Sequence, residues 1–282
     1  MATEKVELFG LSWEAEGGEE FVAKEREAVL SFLLTPLGGM ALELADDPGA
    51  APAPAPTIPG YKARRVVEGV VDPADLREAI DNGRGNEVLH LYDEITIPLD
   101  NGKTVTVVCA FVGDEYARFV FKDCYDQHCM NEEATNKGSY YHSAARRYVL
   151  EEIYPHLPRA WKDVIRPRQI VEVIDGEERS YTDPLWLPSA TDVLGSPEDK
   201  RWPDEVDSFQ LPIFLRERDR VKELEPEHEE YDGICCWWLR SLYTDISVST
   251  LDSAYFCGVN TIGNADFDTA NNSVALAPGF DL

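Results

Sequence analysis

The stretch Asp46–Gly60, DDPGAAPAPAPTIPG, sets the strongest limit on how this chain can fold. Proline has no backbone N–H and a fixed φ, so alternating Ala-Pro can be neither a helix nor a central strand. It prefers extended polyproline geometry. Roughly eight such residues at about 3.1 Å each make a semi-rigid spacer of about 25 Å. The chain therefore divides into an N-terminal element over residues 1–48, a linker over 49–59 and a head over 60–282. In the first element, Glu19–Leu34 (EEFVAKEREAVLSFLL) predicts a helix, stopped by Pro36-Leu37-Gly38-Gly39. Such an element suits a mount for a displayed head, and equally a loose N-terminal arm.

In the head, the patterning predicts a short helix over Pro73–Ile80 capped by Asp72. A hairpin follows, pairing Glu94–Leu99 with Thr104–Val112 around Asp100-Asn101-Gly102. Tyr116–Phe121 reads as a strand and Tyr140–Ile153 as a helix that starts near Ser139 or Ser143 and ends at Pro155. Ala160–Ile165 reads as a short helix, Ile170–Ile174 as a strand, and Leu185–Ser189 as an apolar strand running into a loop. Residues 196–232 are charged, contain Pro and read as mostly irregular. Cys235–Leu282 reads as β. Two main helices among many short strands, without βαβ alternation, predict an α+β fold.

Composition narrows the function. At 282 residues and 44% hydrophobic content, a substantial core is available. The net charge of −27 argues against nucleic acid or an anionic membrane as partner. No apolar run approaches 18 residues, so no membrane insertion is expected. The opening MATEKVELFG lacks a basic region before an apolar one, so no secretory signal peptide is expected. The six cysteines are then expected as thiols. Cys124, His128 and Cys129 form a short cluster with zinc-ligand chemistry, but no second cluster completes it. The tail carboxylates Asp245, Asp252, Asp266, Asp268 and Asp281 follow no calcium-loop spacing. No cofactor or metal is expected. No phosphate-binding loop, nucleophile elbow or HExxH is present, and the five histidines are scattered. No catalytic residue is assigned.

The tail is the unusual part. Ser241–Leu282 contains no Lys, Arg, His, Glu, Gln, Met or Trp, whereas the preceding 240 residues hold 29 Glu and 9 Lys with every Trp, Gln and Met of the chain. At the upstream frequency of Lys, Glu, Gln, Met and Trp, about nine would fall in the tail. Those five types have no codon ending in C or T. Codons of that form arise when the adenines of an Asn codon, AAC or AAT, are randomised. A surface varied in this way would be a recognition surface. A Ser/Asn-rich β segment that is merely poor in long charged side chains gives the same pattern.

The blocks CWWLRS (Cys236–Ser241), YFCGVN (Tyr255–Asn260) and ALAPGFDL (Ala275–Leu282) resemble the C-terminal region of the variable proteins of diversity-generating retroelements. The closest likeness is to the branch common in gut phages and prophages. Leu185–Ser189, Val193-Leu194-Gly195, Gln210-Leu211-Pro212 and Ser143–Arg146 are softer matches, and the resemblance covers residues 85–282. Two positions depart from it: Ala275-Leu276 stands where the family usually has Gly-Val, and Leu242 where Pro commonly follows WLRS.

The resemblance implies a C-type lectin fold of short twisted antiparallel strands, with a variable region over 241–276 whose adenines are misread during copying. The missing Arg and His need chance or selection, since NNC codons allow them. Trp237, Trp238, Leu239, Phe256, Val259, Leu276 and Phe280 are then expected as buried scaffold, with Arg240 as a buried cation. The expected ligand-binding positions are Tyr243, Asp245, Ser247, Leu251, Ser253, Tyr255, Gly258 and Asn260, and then Asp266, Phe267, Asp268, Thr269, Asn272 and Val274. Tyr and Phe supply rigid contact area, and Asn, Asp, Ser and Thr adaptable hydrogen bonds. The implied partner is a bacterial surface protein or glycan. The implied location is a virion surface after synthesis in the bacterial cytoplasm, with residues 1–56 suited to attachment to a particle or a trimeric stalk. Two other readings remain open. One is a fixed structural decoration of a virion. The other is an oxidase of the formylglycine-generating type, which shares this broad fold and would need a cysteine pair, Cys235-Cys236 or Cys236 with Cys257.

Overall fold

The computed structural model describes the backbone of residues 2–8 and 11–17 and the chain over 71–174, 177–196, 201–203, 205–224, 233–244 and 254–282. The molecule comprises two units, Met1–Lys62 and Ala63–Leu282. In the first, β1 (Ala2–Leu8) and β2 (Leu11–Gly17) pair antiparallel, with Leu8 opposite Leu11. The sequence reading had assigned no element here. The helix expected over Glu19–Leu34 and the Ala-Pro linker lie outside the described residues.

The second unit is a mixed α+β head. It opens with α1 (Pro73–Asp81), where the Asp72 carboxylate accepts the Ala74 N–H and Pro73 sits at the first turn. Leu76, Ala79 and Ile80, three to four residues apart, form its buried face. After α2 (Gly85–Val88), β3 (Glu94–Pro98) and β4 (Thr104–Val112) form the expected hairpin. Gly102 takes φ 85° at the turn, and its N–H donates to Leu99 O at 3.0 Å. Next come β5 (Ala117–Phe121), buried along its whole length, and β6 (Asp126–Cys129), a strand without a clear apolar period.

The expected helix over Tyr140–Ile153 is broken into turns of different pitch. A 3₁₀ turn at Tyr140–His142 stops at Ser143, whose side chain caps the next helix by accepting the Arg146 N–H. That helix, α3 (Ala144–Tyr148), widens into a π turn at Val149–Ile153 and closes with a 3₁₀ turn at Tyr154–His156. α4 (Arg159–Lys162) leads to the hairpin of β7 (Arg168–Ile174) and β8 (Glu177–Asp183). The apolar Leu185–Ser189 run forms only a bridge, Trp186 to Gly279, before α5 (Ala190–Leu194). α5 is held by a capping box between Ser189 and Asp192.

The segment read as irregular contains 3₁₀ turns at Pro212–Phe214 and Glu217–Arg220 and the short β9 (Lys222–Glu223). β9 pairs with β10 (Ile234–Cys235). The tail is β as expected: β11 (Trp237–Leu242), β12 (Tyr255–Val259), β13 (Ala265–Thr269), β14 (Ser273–Leu276) and β15 (Gly279–Asp281).

Two sheets organise the head. One runs β15-β5-β4-β3 and the other β13-β12-β11-β14-β6. All pairings in them are antiparallel except β11–β14, which is parallel and puts Trp237 beside Ala275. The tail thus feeds both sheets. Phe280 stacks on Phe119 at 5.4 Å and meets Trp161 edge-on at 5.7 Å. Gly279 fits where no Cβ could, because one would lie 2.7 Å from both Phe119 O and the Trp186 ring. No helix among the described residues is long and apolar enough to cross a membrane.

Candidate functional site

β11 anchors the five-stranded sheet. Trp237, Trp238, Leu239 and Arg240 are fully buried, as are Phe256, Val259, Leu276 and Phe280, in line with the scaffold expectation. Each indole finds an acceptor: Trp237 Nε1 donates to Arg220 O at 2.9 Å, and Trp238 Nε1 to His128 O at 3.0 Å. Trp238 meets Phe256 edge-on.

Arg240 ties this strand to the loops behind it. Its Nη2 donates to Asp207 Oδ2 at 2.6 Å and to Ser208 Oγ at 3.0 Å, while Nη1 lies 3.6 Å from Glu172 and 3.8 Å from Glu205. Burial works against its charge, but Glu205, Asp207, Asp192 and Glu172 outweigh burial and raise its pKa. Ser241 Oγ donates to Glu205 at 2.6 Å and accepts the Ala190 N–H at 2.7 Å. Arg168 makes a two-pronged pair with Asp192 at 2.8 and 3.1 Å and reaches Asp207. Arg118 makes another such pair with Asp281 at 2.9 and 3.0 Å. Burial alone would raise the Asp192 carboxyl, yet Arg168, Arg118 and Arg240 take it down to about 2. Glu172 shifts the other way, because burial prevails over Arg240. Three guanidiniums and five carboxylates therefore hold β7, α5, the 205–208 loop, β11 and β15 as one polar core. Sequence reading found Arg240 but not its acids, since Glu205 and Asp207 lie in a stretch without periodicity.

The exposed positions gather on β13 and its surroundings. β13 pairs only with β12, which leaves its outer edge unpaired among the described strands. Register puts Phe267 opposite Cys257 and Thr269 opposite Tyr255 on one face, with Asp266 and Asp268 on the other. Phe267 is 45% exposed and stacks on Tyr243 at 4.1 Å, with Tyr255 edge-on to it at 5.5 Å. On the acidic face, Asn272 Nδ2 donates to Asp268 at 2.6 Å. Cys236 is also exposed, its thiol pushed up by burial of its atoms and by Asp266 and Asp268. Ile262, 64% exposed in the β12–β13 turn, adds an apolar contact that the sequence reading passed over.

Three expected contact positions read differently in the structure. Gly258 is buried, and a Cβ there would stand 3.1 Å from Trp237 O, which suits close strand packing. Asn260 Oδ1 accepts the N–H groups of Ile262 and Asn264, which commits that side chain to building the turn. Val274 is half-buried on β14 and packs against the core. Asp245, Ser247, Leu251 and Ser253 lie outside the described residues. The structure gathers Tyr243, Tyr255, Phe267 and Thr269 on one face of β13, and Asp266, Asp268 and Asn272 on the other.

The cysteines are dispersed. Cys257 is buried with its Sγ on Leu242 O, Cys236 is exposed, and Cys235 faces Cys124 across 3.4 Å. His128 contacts Cys129 O and stacks on Tyr148, so it does not join Cys124. No group of three or more His, Cys, Asp or Glu is arranged to hold a metal among the described residues.

No curated protein and no solved structure matches the chain. A family profile does match, over residues 112–282, from the end of β4 through the whole tail. The chain therefore belongs to the DUF6273 family, whose description is a domain of unknown function.

Proposed function

We propose that this protein is a diversified ligand-binding protein of the retroelement variable type, with a C-type lectin head. On this reading the surface around β13 recognises a bacterial surface protein or glycan from a phage particle. One observation carries the reading. The tail segment that lacks Lys, Glu, Gln, Met and Trp supplies the exposed β13 strand, and that strand lies between fully buried anchors, Trp237–Arg240 before it and Phe280 after it. A segment held at both ends tolerates changed side chains in the middle, which is what a diversified surface requires. A small sheet that turns one strand edge outward suits the lectin architecture. Tyr243, Tyr255 and Phe267 offer rigid aromatic contact, and Asp266, Asp268 and Asn272 offer polar contact.

Residues 1–56 would attach the head to a particle or a trimeric stalk, where several copies raise avidity for weak contacts. A solution mass showing only monomer would remove the trimer. The main reading is tested by sequencing the 3′ end of the gene across its source population, together with the neighbouring DNA. Changes confined to Asn-derived codons between Tyr243 and Val274, beside a near-copy with adenines at those sites and a reverse transcriptase, support diversification. An invariant segment with no template repeat overturns it.

A further inference from the structure

We propose that Cys124 and Cys235 are the two halves of an intramolecular disulfide that closes in oxidising surroundings and staples the base of the recognition sheet. The proposal is independent of what that sheet binds.

The two sulfurs lie 3.4 Å apart, although the residues are 111 positions apart in sequence. A disulfide needs about 2.0 Å, so closure asks for a movement of little more than an ångström. The backbone already holds both residues in place. The Cys124 N–H donates to Glu223 O at 2.7 Å, and Cys124 bridges in parallel to Leu224. Cys235 sits in β10 directly opposite Lys222 of β9, and the Leu224 N–H donates to Gly233 O at 2.7 Å. Both residues are therefore held against the same short segment, Lys222–Leu224, and the thiols meet because the fold brings them there.

The environments of the two thiols differ in the way an exchange reaction requires. Cys235 is half-buried and Cys124 is buried, so an external reagent reaches Cys235 first. Lys222 lies beside them, its ammonium held by the carbonyls of Phe121 and Lys122. The Cys235 thiol is lowered by its hydrogen bond with Cys124, with Lys222 acting the same way. Burial raises the Cys124 thiol. Cys235 is thus the attacking sulfur and Cys124 the resolving one.

With a small-molecule disulfide such as oxidised glutathione as the oxidant, the steps balance. The Cys235 thiolate attacks one sulfur of the reagent, breaks its S–S bond and expels one thiolate. The Cys124 sulfur, once deprotonated, attacks Cys235 Sγ in the mixed disulfide and expels the second. Two protein thiols are oxidised, one reagent disulfide is reduced to two thiols, and these take up the two protons. Neighbouring Cys236 is excluded as the partner, because a vicinal pair rarely reaches acceptable disulfide geometry.

The test uses the full chain. It is incubated with oxidised glutathione, quenched in acid, denatured and alkylated, and the thiols are mapped by peptide mass spectrometry. The expected product is a chain with no intermolecular disulfide, Cys124 linked to Cys235 and the other four cysteines alkylated. Cys236→Ser should give the same link, and Cys124→Ser should stop at a glutathione adduct on Cys235. The cross-linked form should also unfold at a higher temperature than the reduced form. The proposal is overturned if Cys124 and Cys235 both remain alkylatable after oxidation, if a glutathione adduct persists on Cys235 in the unsubstituted protein, or if the link joins other cysteines.

Discussion

β11 and β13 belong to one sheet and are separated by a single strand, yet they face opposite demands. In β11, Trp237 to Arg240 are fully buried, both indole N–H groups find carbonyl acceptors, and Arg240 Nη2 donates to Asp207. In β13, Ala265, Asp266 and Phe267 are exposed on both faces and one strand edge has no neighbour. The bulky apolar side chains are therefore packed into β11, and the exposed polar and aromatic ones are gathered on β13. The lesson is a division of labour within one small sheet: the strand that carries the energy is kept apart from the strand that meets the outside.

Four experiments bear on that division. The largest effect is expected from Arg240→Met. It leaves Asp207, Glu205 and Glu172 buried without their nearest cation, and breaking such a group costs about 3–5 kcal/mol. Denaturant unfolding reads the loss, and a variant as stable as the parent would mean that β11 is not the anchor. The next largest effect is of pH. Asp192 is held below its unfolded value of about 3.9, so its contribution is present above that value and is lost as pH falls to about 2. A loss of about 2–3 kcal/mol across that window is expected. Glu172, raised by burial, acts with the opposite sign and gives some stability back as it protonates. Denaturation midpoints measured from pH 5 to pH 2 should fall for the parent. They should fall less for Asp192→Asn, which starts lower.

On the exposed strand the expected effects shrink. Phe267→Ser removes one stacked and one edge-on ring contact, each worth about 0.5–1.5 kcal/mol. Its exposure puts the total at the low end, about 1 kcal/mol by thermal unfolding. The smallest change is expected from Asp266→Ser, within about 0.5 kcal/mol of the parent. A loss of several kcal/mol from Asp266→Ser would erase the contrast between the strands.

The sequence disclosed most where a local rule coincided with the final packing. Asp72-Pro73 starts a helix and Asp100-Asn101-Gly102 turns a hairpin by backbone chemistry that needs no distant partner. The burial of the WWLR block, by contrast, is what the family likeness implies and follows from no local rule. Long-range pairing was the part that stayed hidden. β6 exists because β14 returns to it across more than 140 residues, and nothing in Asp-Gln-His-Cys announces a strand. The Ser189–Asp192 capping box begins a helix of only five residues, too short for its periodicity to register. Tyr140–Ile153 carries one apolar rhythm, but Ser143 competes for the backbone and splits it. Within the candidate surface, side-chain type alone could not separate half-buried Asn260, whose Oδ1 accepts two backbone N–H groups of its turn, from exposed Asn272, whose Nδ2 donates to Asp268. Nor could it reveal that Gly258 is a packing residue.

The placement of β15 has a consequence for how the sheet is completed. Gly279–Asp281 pairs with β5, Asp281 closes the Arg118 pair, and Phe280 sits between Phe119 and Trp161. These contacts join residues more than 100 positions apart, so the four-stranded sheet is complete only once β15 has joined it. A chain without this strand would uncover Phe119 and leave Arg118 with Asp192 alone, at 3.7 Å, in place of its two-pronged partner. The packing around Phe119 and Arg118 thus depends on a strand that reaches them from more than 150 positions away in sequence.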